Sequence, residues 1–251
     1  MLGEFVLPLP DGVWQETLVR ALEINAYKEQ TARQAIARSV SGGWLTSERV
    51  GRRARLRLQD ATRRMLTEGA ERIYSFGNAR GWDGQWLLVV VRVPEDRREV
   101  RHHLRTRLAW AGFGSLGGGL WISPHVDHEG DVDRTVLNSG VAEVLSFRVA
   151  QGGIREPRKV VADAWDLGAI AQRYRSFIER YRRLRPRGSE AIFRAQTQMV
   201  HDWRKFPFLD PDLPDELLPA RWPRERAHDL FQARHAEWHE PAQRLFAEFD
   251  R

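Results

Sequence analysis

Apolar and polar positions along this chain predict helices and a hairpin first, then a mixed stretch, then further helices. In residues 1–80, two stretches repeat apolar side chains at helical spacing, and Gly42-Gly43 ends the second of them. Residues 44–48 and 52–58 are then predicted to form two strands joined by a tight turn, and residues 60–71 a further helix. Two helices followed by a hairpin is the order of a winged helix-turn-helix domain, which we predict for residues 1–80.

The central residues, 81–156, alternate between strand-like and helix-like patterns. Residues 86–93 form a continuous apolar run, which is typical of a strand covered on both faces. A helical pattern ending near Ala111 follows, and then a glycine-rich turn, a strand at 120–123, a helix at 131–139 and a strand at 144–149. This order predicts a ferredoxin-like βαββαβ sandwich and places the whole chain in the α+β class.

Residues 157–251 are predicted to be helical, because apolar and aromatic side chains recur there at spacings of three and four. A proline-rich loop at 207–223 precedes the last helix. Pro241 is predicted to kink or break that helix, since proline has no amide hydrogen to donate. The sequence therefore predicts a third, helical domain at 157–251.

The positive charge of the chain is concentrated in one short stretch. Between Lys28 and Arg64, ten basic residues stand against three acidic ones, a local charge of +7, whereas the whole chain carries +6. In residues 53–58, arginine alternates with apolar residues, so a strand there would present guanidinium groups on one face and bury the other. Such a basic patch binds polyanions, because each phosphate that it neutralises releases condensed counterions.

The second predicted helix has the side chains that a DNA recognition helix needs. Glutamine pairs with adenine, and arginine with guanine, in the major groove. Taken alone, this polar face fits a solvated helix surface as well as it fits a DNA-reading surface. The hairpin favours DNA, because its five arginines, with no acidic residue among them, would repel each other unless an anion binds. We therefore predict that double-stranded DNA is bound by Lys28, Gln30, Thr31, Arg33, Gln34, Arg38, Arg49, Arg52, Arg53, Arg55 and Arg57.

Motifs for catalysis, cofactors and metals are weak. Residues 112–117 match G-x-G-x-x-G, but a helix precedes them and a strand follows, so we interpret them as a turn and not as a dinucleotide site. His235 and His239 share a helix face, yet Ala236 stands where a metalloprotease has glutamate, and no third ligand is evident. A second cluster is His125, Asp127 and His128. We expect no metal, no cofactor, no catalytic residues and no enzyme activity.

Aromatic residues of the predicted helical domain at 157–251 are candidates for lining a small-molecule pocket. The candidates are Trp165, Tyr174, Trp203 and Trp238. Apolar stripes at helical spacing more often fill a core or a dimer interface, so this alternative stays open.

Composition favours an intracellular protein. The chain has no cysteine, which excludes disulfides, thiolate metal sites and cysteine nucleophiles. The first ten residues lack the features of a signal peptide, and the longest apolar run, from Trp86 to Val91, is too short to span a bilayer. We expect a cytoplasmic protein with no membrane partner.

Motifs spread over nearly the full length carry a resemblance to a known family. They are residues 31–38 (TARQAIAR), 43–45 (GWL), 49–53 (RVGRR), 82–86 (WDGQW), 112–114 (GFG), 210–219 (DPDLPDELLP) and 222–223 (WP). On these motifs the chain resembles the PaaX-like family of transcriptional repressors, named for phenylacetate degradation.

The resemblance implies an N-terminal winged helix, a central domain similar to the CRISPR nuclease Cas2, and a helical C-terminal domain. It also implies a homodimer that represses a catabolic operon by binding palindromic operator DNA. A small effector, an acyl-CoA thioester such as the phenylacetyl-CoA of the namesake, would release it. Family members usually have a further helix before the position of Leu2, so we expect a first domain that is shortened or lacks its first helix.

Two other functions stay open. A Cas2-like metal-dependent nuclease or RNA-binding protein would use the central domain. However, its first strand ends Val91-Arg92-Val93-Pro94, without the aspartate that such nucleases use as a metal ligand. An acyl-CoA-binding enzyme would be recognised by turnover of a thioester.

Overall fold

Separate stretches of the sequence come together in each of the two units of the fold. The structure, a computed structural model, describes residues 1–76, 81–94, 96–130, 132 and 143–251. The first unit comprises Met1–Ser75, Phe177–Arg204 and His228–Arg251, and the second comprises Phe76–Ser176 and Lys205–Ala227. The three domains expected from the sequence stay a prediction, since two units of this kind do not test their boundaries.

The N-terminal part of the first unit combines helices with a three-stranded antiparallel sheet. Its elements are a π-helical turn (Leu2–Val6), β1 (Val13–Trp14), α1 (Gln15–Ile24), α2 (Glu29–Ser41), β2 (Leu45–Val50), β3 (Arg53–Leu58) and α3 (Asp60–Ser75). Strand β3 lies in the middle, between β1 and β2. The alternation predicted for β3 is confirmed in its second half, where Leu56 and Leu58 are buried while Arg57 is exposed. In its first half, Arg53, Ala54 and Arg55 are all partly buried.

The second unit is built around a four-stranded sheet. Its elements are β4 (Gln85–Arg92), α4 (Arg98–Trp110), β5 (Gly114–Gly117), β6 (Leu120–Ser123), a 3-10 turn (Val126–His128), β7 (Glu143–Ala150) and α5 (Pro157–Ala164). The strand order is β5-β6-β4-β7, and every neighbouring pair is antiparallel. This is the order of a ferredoxin-like βαββαβ sheet. The helix predicted at 131–139 lies outside the described residues, apart from the helical Val132.

Strand β4 is covered on both faces, as its continuous apolar run predicts. Leu87 and Val89 pack in one cluster with Leu104 and Leu108 of α4. On the other face, Trp86 packs in a second cluster with residues of α5 and the proline-rich loop.

The glycine-rich segment corrects one prediction. Residues 112–117 were expected to be only a turn between elements, but Gly114–Gly117 form strand β5, which pairs with β6 through a bulge. Glycine is required beside it at Gly119, which has φ +84° and whose Cβ would lie 2.3 Å from the carbonyl oxygen of Val91.

The remaining elements are helical. They are α6 (Leu167–Arg182), α7 (Ser189–Trp203), α8 (Phe206–Leu209), a 3-10 turn (Asp215–Leu217) and α9 (Arg224–Phe249). Pro241 lies inside α9 and does not break it, so of the predicted kink or break only the kink stays a prediction. In the first unit, Phe5 contacts Phe193 of α7 and Phe246 of α9, with ring centroids 4.6 and 5.2 Å apart. Within the described residues, no helix combines the length and apolar character needed to cross a membrane.

Candidate nucleic-acid interface

Helix α2 has one buried face and one exposed polar face. Ala32 and Ile36 pack into the core of the first unit, which fixes the rotation of the helix. The predicted DNA-reading side chains are therefore all exposed: Gln30, Thr31, Arg33, Gln34 and Arg38, with Lys28 just before the first turn. Only Arg33 has an ion pair among them in the described structure, with Glu29 at 2.8 Å on the same exposed surface.

The tip of the β2–β3 hairpin presents two of the five predicted arginines. Arg49 and Arg52 are exposed, and Gly51 between them adopts φ +62°, which a tight turn needs. Within the described part of the chain, neither arginine has a carboxylate at ion-pair distance, and the Nε of Arg49 donates to the carbonyl of Gly51. Both guanidinium groups are thus available to an anion.

The next two arginines are held against an aromatic ring. The guanidinium carbons of Arg53 and Arg55 lie 4.1 and 4.7 Å from the ring centroid of Trp14, at cation–π distance. Arg55 also pairs with Asp250 at 3.2 Å, and both side chains are largely shielded from solvent. These contacts keep the two arginines on the surface of their own unit.

The side chain of Arg57 also has partners within the chain. It forms an ion pair with Glu48 across the hairpin, and its Nε donates to the carbonyl of Asp11. The five predicted arginines therefore divide into an open pair at the tip and three with intramolecular partners.

Asp250 joins this hairpin to the C-terminal helix. Its Oδ1 accepts hydrogen bonds from the backbone amide of Trp14 (2.8 Å) and the hydroxyl of Thr17 (3.1 Å), while Oδ2 faces Arg55. The sequence analysis missed this residue, because nothing near Asp250 in the sequence indicates partners more than 190 positions away.

The four candidate effector residues have different surroundings. Trp203 and Trp238 are buried in the first unit, where Trp203 stacks on Phe231 at 4.7 Å. Tyr174 is buried in the second unit, and Trp165 is half-buried against the backbone of Gly114. Tyr174, Trp203 and Trp238 pack as core residues, Trp165 is partly exposed, and the pocket role of the four stays a prediction.

Tyr174 belongs to a buried polar cluster formed by the proline-rich loop. Its hydroxyl donates to Asp210 at 2.6 Å, and Arg224 pairs with Asp212 and Asp215 at 3.0 and 2.9 Å. Burial raises the pKa of Tyr174 above its usual range, and the negative charge of Asp210 adds to this. The acidic residues of the segment 210–219 thus hold the start of α9 in the second unit.

A large cavity lies in the second unit. Its volume is about 1590 Å³, and its walls combine apolar side chains with the arginines Arg92, Arg101, Arg105 and Arg155. Arg92 and Arg155 pair with carboxylates of the wall, whereas Arg101 donates to the backbone carbonyl of Pro94. None of the four aromatic candidates is among its described lining residues.

The two histidine clusters of the sequence also have defined surroundings. His125 is buried, and its Nε2 lies 3.2 Å from the carbonyl oxygen of Pro211. His235 and His239 of α9 both face the carboxylate of Glu4, with distances of 3.3 and 3.1 Å to the same oxygen. Glu4 is the third group that the sequence did not reveal.

Known proteins resemble this chain over nearly its full length. Family models described as "PaaX-like protein", "PaaX protein central Cas2-like domain" and "PaaX-like protein C-terminal domain" match residues 1–62, 79–161 and 165–248. The transcriptional repressor PaaX of Escherichia coli K12 is 30% identical over 230 residues, which cover 87% of this chain and 72% of that protein. An uncharacterized protein of Mycobacterium tuberculosis, Rv0674, has a similar fold, with a TM-score of 0.65, 24% identity and 96% of each chain covered.

Proposed function

The chain belongs to the PaaX-like family of transcriptional repressors, and from this premise we propose that its N-terminal residues form a winged helix that binds double-stranded operator DNA. The observation that carries the proposal is the exposed polar face of α2 beside an arginine-tipped hairpin. The succession β1, α1, α2, β2 and β3, with β1 paired to β3, supports it.

In this function, α2 enters the major groove and the hairpin acts as the wing. Gln30, Gln34 and Arg38 reach base edges, because glutamine and arginine match the groove patterns of adenine and guanine. Arg49 and Arg52 bind phosphate oxygens or the minor groove, which provides affinity and register but little sequence choice. Arg53, Arg55 and Arg57 support the wing. Each already has a partner within the chain, so each contacts DNA only through donors that this partner leaves free.

The repressor acts as a homodimer on a palindromic operator of a catabolic operon. Two copies of α2 then read half-sites about one helical turn apart, so a small change in their separation weakens binding. An acyl-CoA thioester is the proposed effector, and it acts by binding the dimer state that does not fit the operator.

The cavity of the second unit suits a thioester of this kind better than the four aromatic residues do. Arginines such as Arg101 and Arg105 match the phosphates of coenzyme A, and apolar wall residues such as Leu104 and Trp121 match an acyl group. A nuclease function is not favoured, because the curated relative is a repressor and the β4 strand ends without a metal-binding aspartate.

Binding to the DNA upstream of its own gene, with and without CoA thioesters, tests this proposal. Fluorescence anisotropy is expected to show tighter binding to that DNA than to a scrambled duplex, and release by one aryl- or acyl-CoA but not by free coenzyme A. Equal affinity for both duplexes would contradict operator recognition, while selective binding that no thioester changes would contradict the effector alone.

A further inference from the structure

One carboxylate oxygen of the first unit is surrounded by more nitrogen atoms than it can accept as hydrogen-bond donors. The Oε1 of Glu4 lies 2.7 Å from Nε2 of Gln196, 3.3 Å from Nε2 of His235 and 3.1 Å from Nδ1 of His239. A carboxylate oxygen has about two lone-pair sites, so Gln196 and both imidazoles cannot all donate to it at once. The Nε2 of His235 also lies 3.3 Å from the hydroxyl of Tyr74. A cation between the oxygen and the two imidazoles removes this competition, because it binds the lone pairs of all three groups.

The spacing of these atoms fits a tetrahedral ion. With ligand distances of about 2.0 to 2.2 Å, the ligands of a tetrahedral zinc ion are about 3.3 to 3.6 Å apart. The two histidine–carboxylate distances are close to this, and all three ligand atoms lie within 4.8 Å of one another. His235 and His239 are one helical turn apart, and their rings are stacked with centroids at 4.7 Å, so both present a nitrogen on the same side.

Neighbouring groups hold the carboxylate in place. The Tyr74 hydroxyl donates to the other oxygen, Oε2, at 2.7 Å, and Gln243 donates to the backbone carbonyl of Glu4. Partners of this kind fix the ligands of metal sites and tune their affinity.

Solvent reaches the cluster from the histidine side. The side chain of Glu4 is 6% exposed, whereas those of His235 and His239 are 20% and 41% exposed. An ion can therefore enter past the imidazoles and keep a water molecule as its fourth ligand.

We propose that Glu4, His235 and His239 form a binding site for a divalent transition-metal ion, with Zn²⁺ as the ion that suits the ligand set best. Imidazole nitrogen favours zinc over the hard cations Mg²⁺ and Ca²⁺, which prefer oxygen ligands. The site fastens the turn Leu2–Val6 to α9 within the first unit. It replaces the expectation from sequence that His235 and His239 bind no metal, and it does not depend on DNA binding.

Titration of the chelator-treated full chain with Zn²⁺ in a calorimeter tests the site. We expect a single equivalent to bind and to raise the thermal unfolding temperature, because the ion binds only the folded state. The variants Glu4→Gln and His239→Ala are expected to lose at least ~100-fold in affinity, since each removes a ligand. Co²⁺ is expected to give the visible absorption of a tetrahedral site, and Mg²⁺ is expected not to bind.

The double variant His102→Gln/His103→Gln is the matched control, because it removes two exposed neighbouring histidines of α4 and leaves the three ligands intact. It is expected to bind Zn²⁺ like the unchanged chain. If Glu4→Gln does not fold, His239→Ala decides, since its side chain is partly exposed. The absence of Zn²⁺ binding, or the same affinity in the ligand variants, would overturn the proposal and leave a purely hydrogen-bonded cluster.

Discussion

Asp250, the residue after the end of α9, holds a hairpin arginine, the amide of Trp14 and the start of α1 in place. One carboxylate oxygen accepts from the Trp14 amide and the Thr17 hydroxyl, and the other faces the Arg55 guanidinium. Because the ion pair is largely shielded from solvent, the loss of Asp250 leaves the Arg55 guanidinium largely buried without its carboxylate.

We predict that Asp250→Ala lowers the free energy of unfolding by roughly 1–3 kcal/mol, the cost of unsatisfied buried groups. Urea unfolding followed by circular dichroism measures it. Asp250→Asn keeps an acceptor for Trp14 and Thr17 and is expected to lose less. Asp229, whose side chain is 75% exposed, provides the control Asp229→Ala, which is expected to stay within about 0.5 kcal/mol of the unchanged chain. Equal stability of all variants would show that Asp250 does not anchor the hairpin.

Residues such as Asp250 and Glu4 could not be found from the sequence. Their partners are 195 to 236 positions away for Asp250 and up to 239 for Glu4. Periodicity and charge runs report only neighbours within a few turns. The exposed face of α2 was predictable for that reason, since Ala32 and Ile36 fix it locally.

At the scale of elements, α2 and the hairpin tip differ in what they offer to DNA. The face of α2 combines amide and guanidinium groups that distinguish bases, whereas the tip offers only charge. The proposed division of roles therefore has two separate signatures in binding experiments.

For Gln34→Ala we predict a loss of about 1–3 kcal/mol on operator DNA and almost none on random DNA, because a base contact is removed. For Arg52→Ala, both duplexes are expected to bind more weakly, and the slope of log affinity against log salt falls by about 1. Anisotropy titrations at several salt concentrations measure both quantities. Arg183→Ala, an exposed arginine of the C-terminal region, serves as the control and should leave both unchanged. Equal losses on both duplexes for Gln34→Ala would rule out base reading.

The elements themselves were predictable where a pattern is long enough. The two helices α1 and α2 follow their apolar periodicity, the hairpin follows its strand and turn signals, and β4 follows its continuous apolar run. Strand β1 has only two residues and gives no periodic signal, and β5 is composed mostly of residues that favour turns. Its pairing with β6, a tertiary contact, outweighs that preference.

At the scale of the whole molecule, each unit contains a buried tyrosine that donates to an aspartate. Tyr174 donates to Asp210 in the second unit, and Tyr181 donates to Asp202 at 2.7 Å in the first. Burial raises the pKa of both hydroxyls well above the usual value of about 10, and the neighbouring carboxylates add to the shift. The folded chain therefore holds protons that the unfolded chain releases above that pH.

We predict that the stability of the chain is constant with respect to these tyrosines below pH ~10 and falls above it. The slope is up to about 1.4 kcal/mol per pH unit for each tyrosine, because only the unfolded state ionises there. Urea midpoints measured against pH test this. The variant Tyr174→Phe/Tyr181→Phe is expected to flatten the decline, whereas Tyr27→Phe, at an exposed position, should not change it. A decline of the same steepness in the double variant would contradict the assignment.

The organisation into interleaved units was beyond the reach of sequence patterns. Composition and periodicity mark segments along the chain, but they do not show that residues 177–204 and 228–251 pack beside residues 1–75. Contacts such as that of Phe5 with Phe193 and Phe246 decide it, and they join apolar residues with no distinguishing local pattern.

The contribution of α9 to the first unit has a consequence during protein synthesis. Residues 228–251 leave the ribosome after all other parts of that unit, and they bring Phe246 and Asp250. When α2 and the hairpin have emerged from the ribosome, the nascent chain still lacks the groups that anchor them. Translation that stops before residue 228 would therefore release fragments in which this unit stays incomplete.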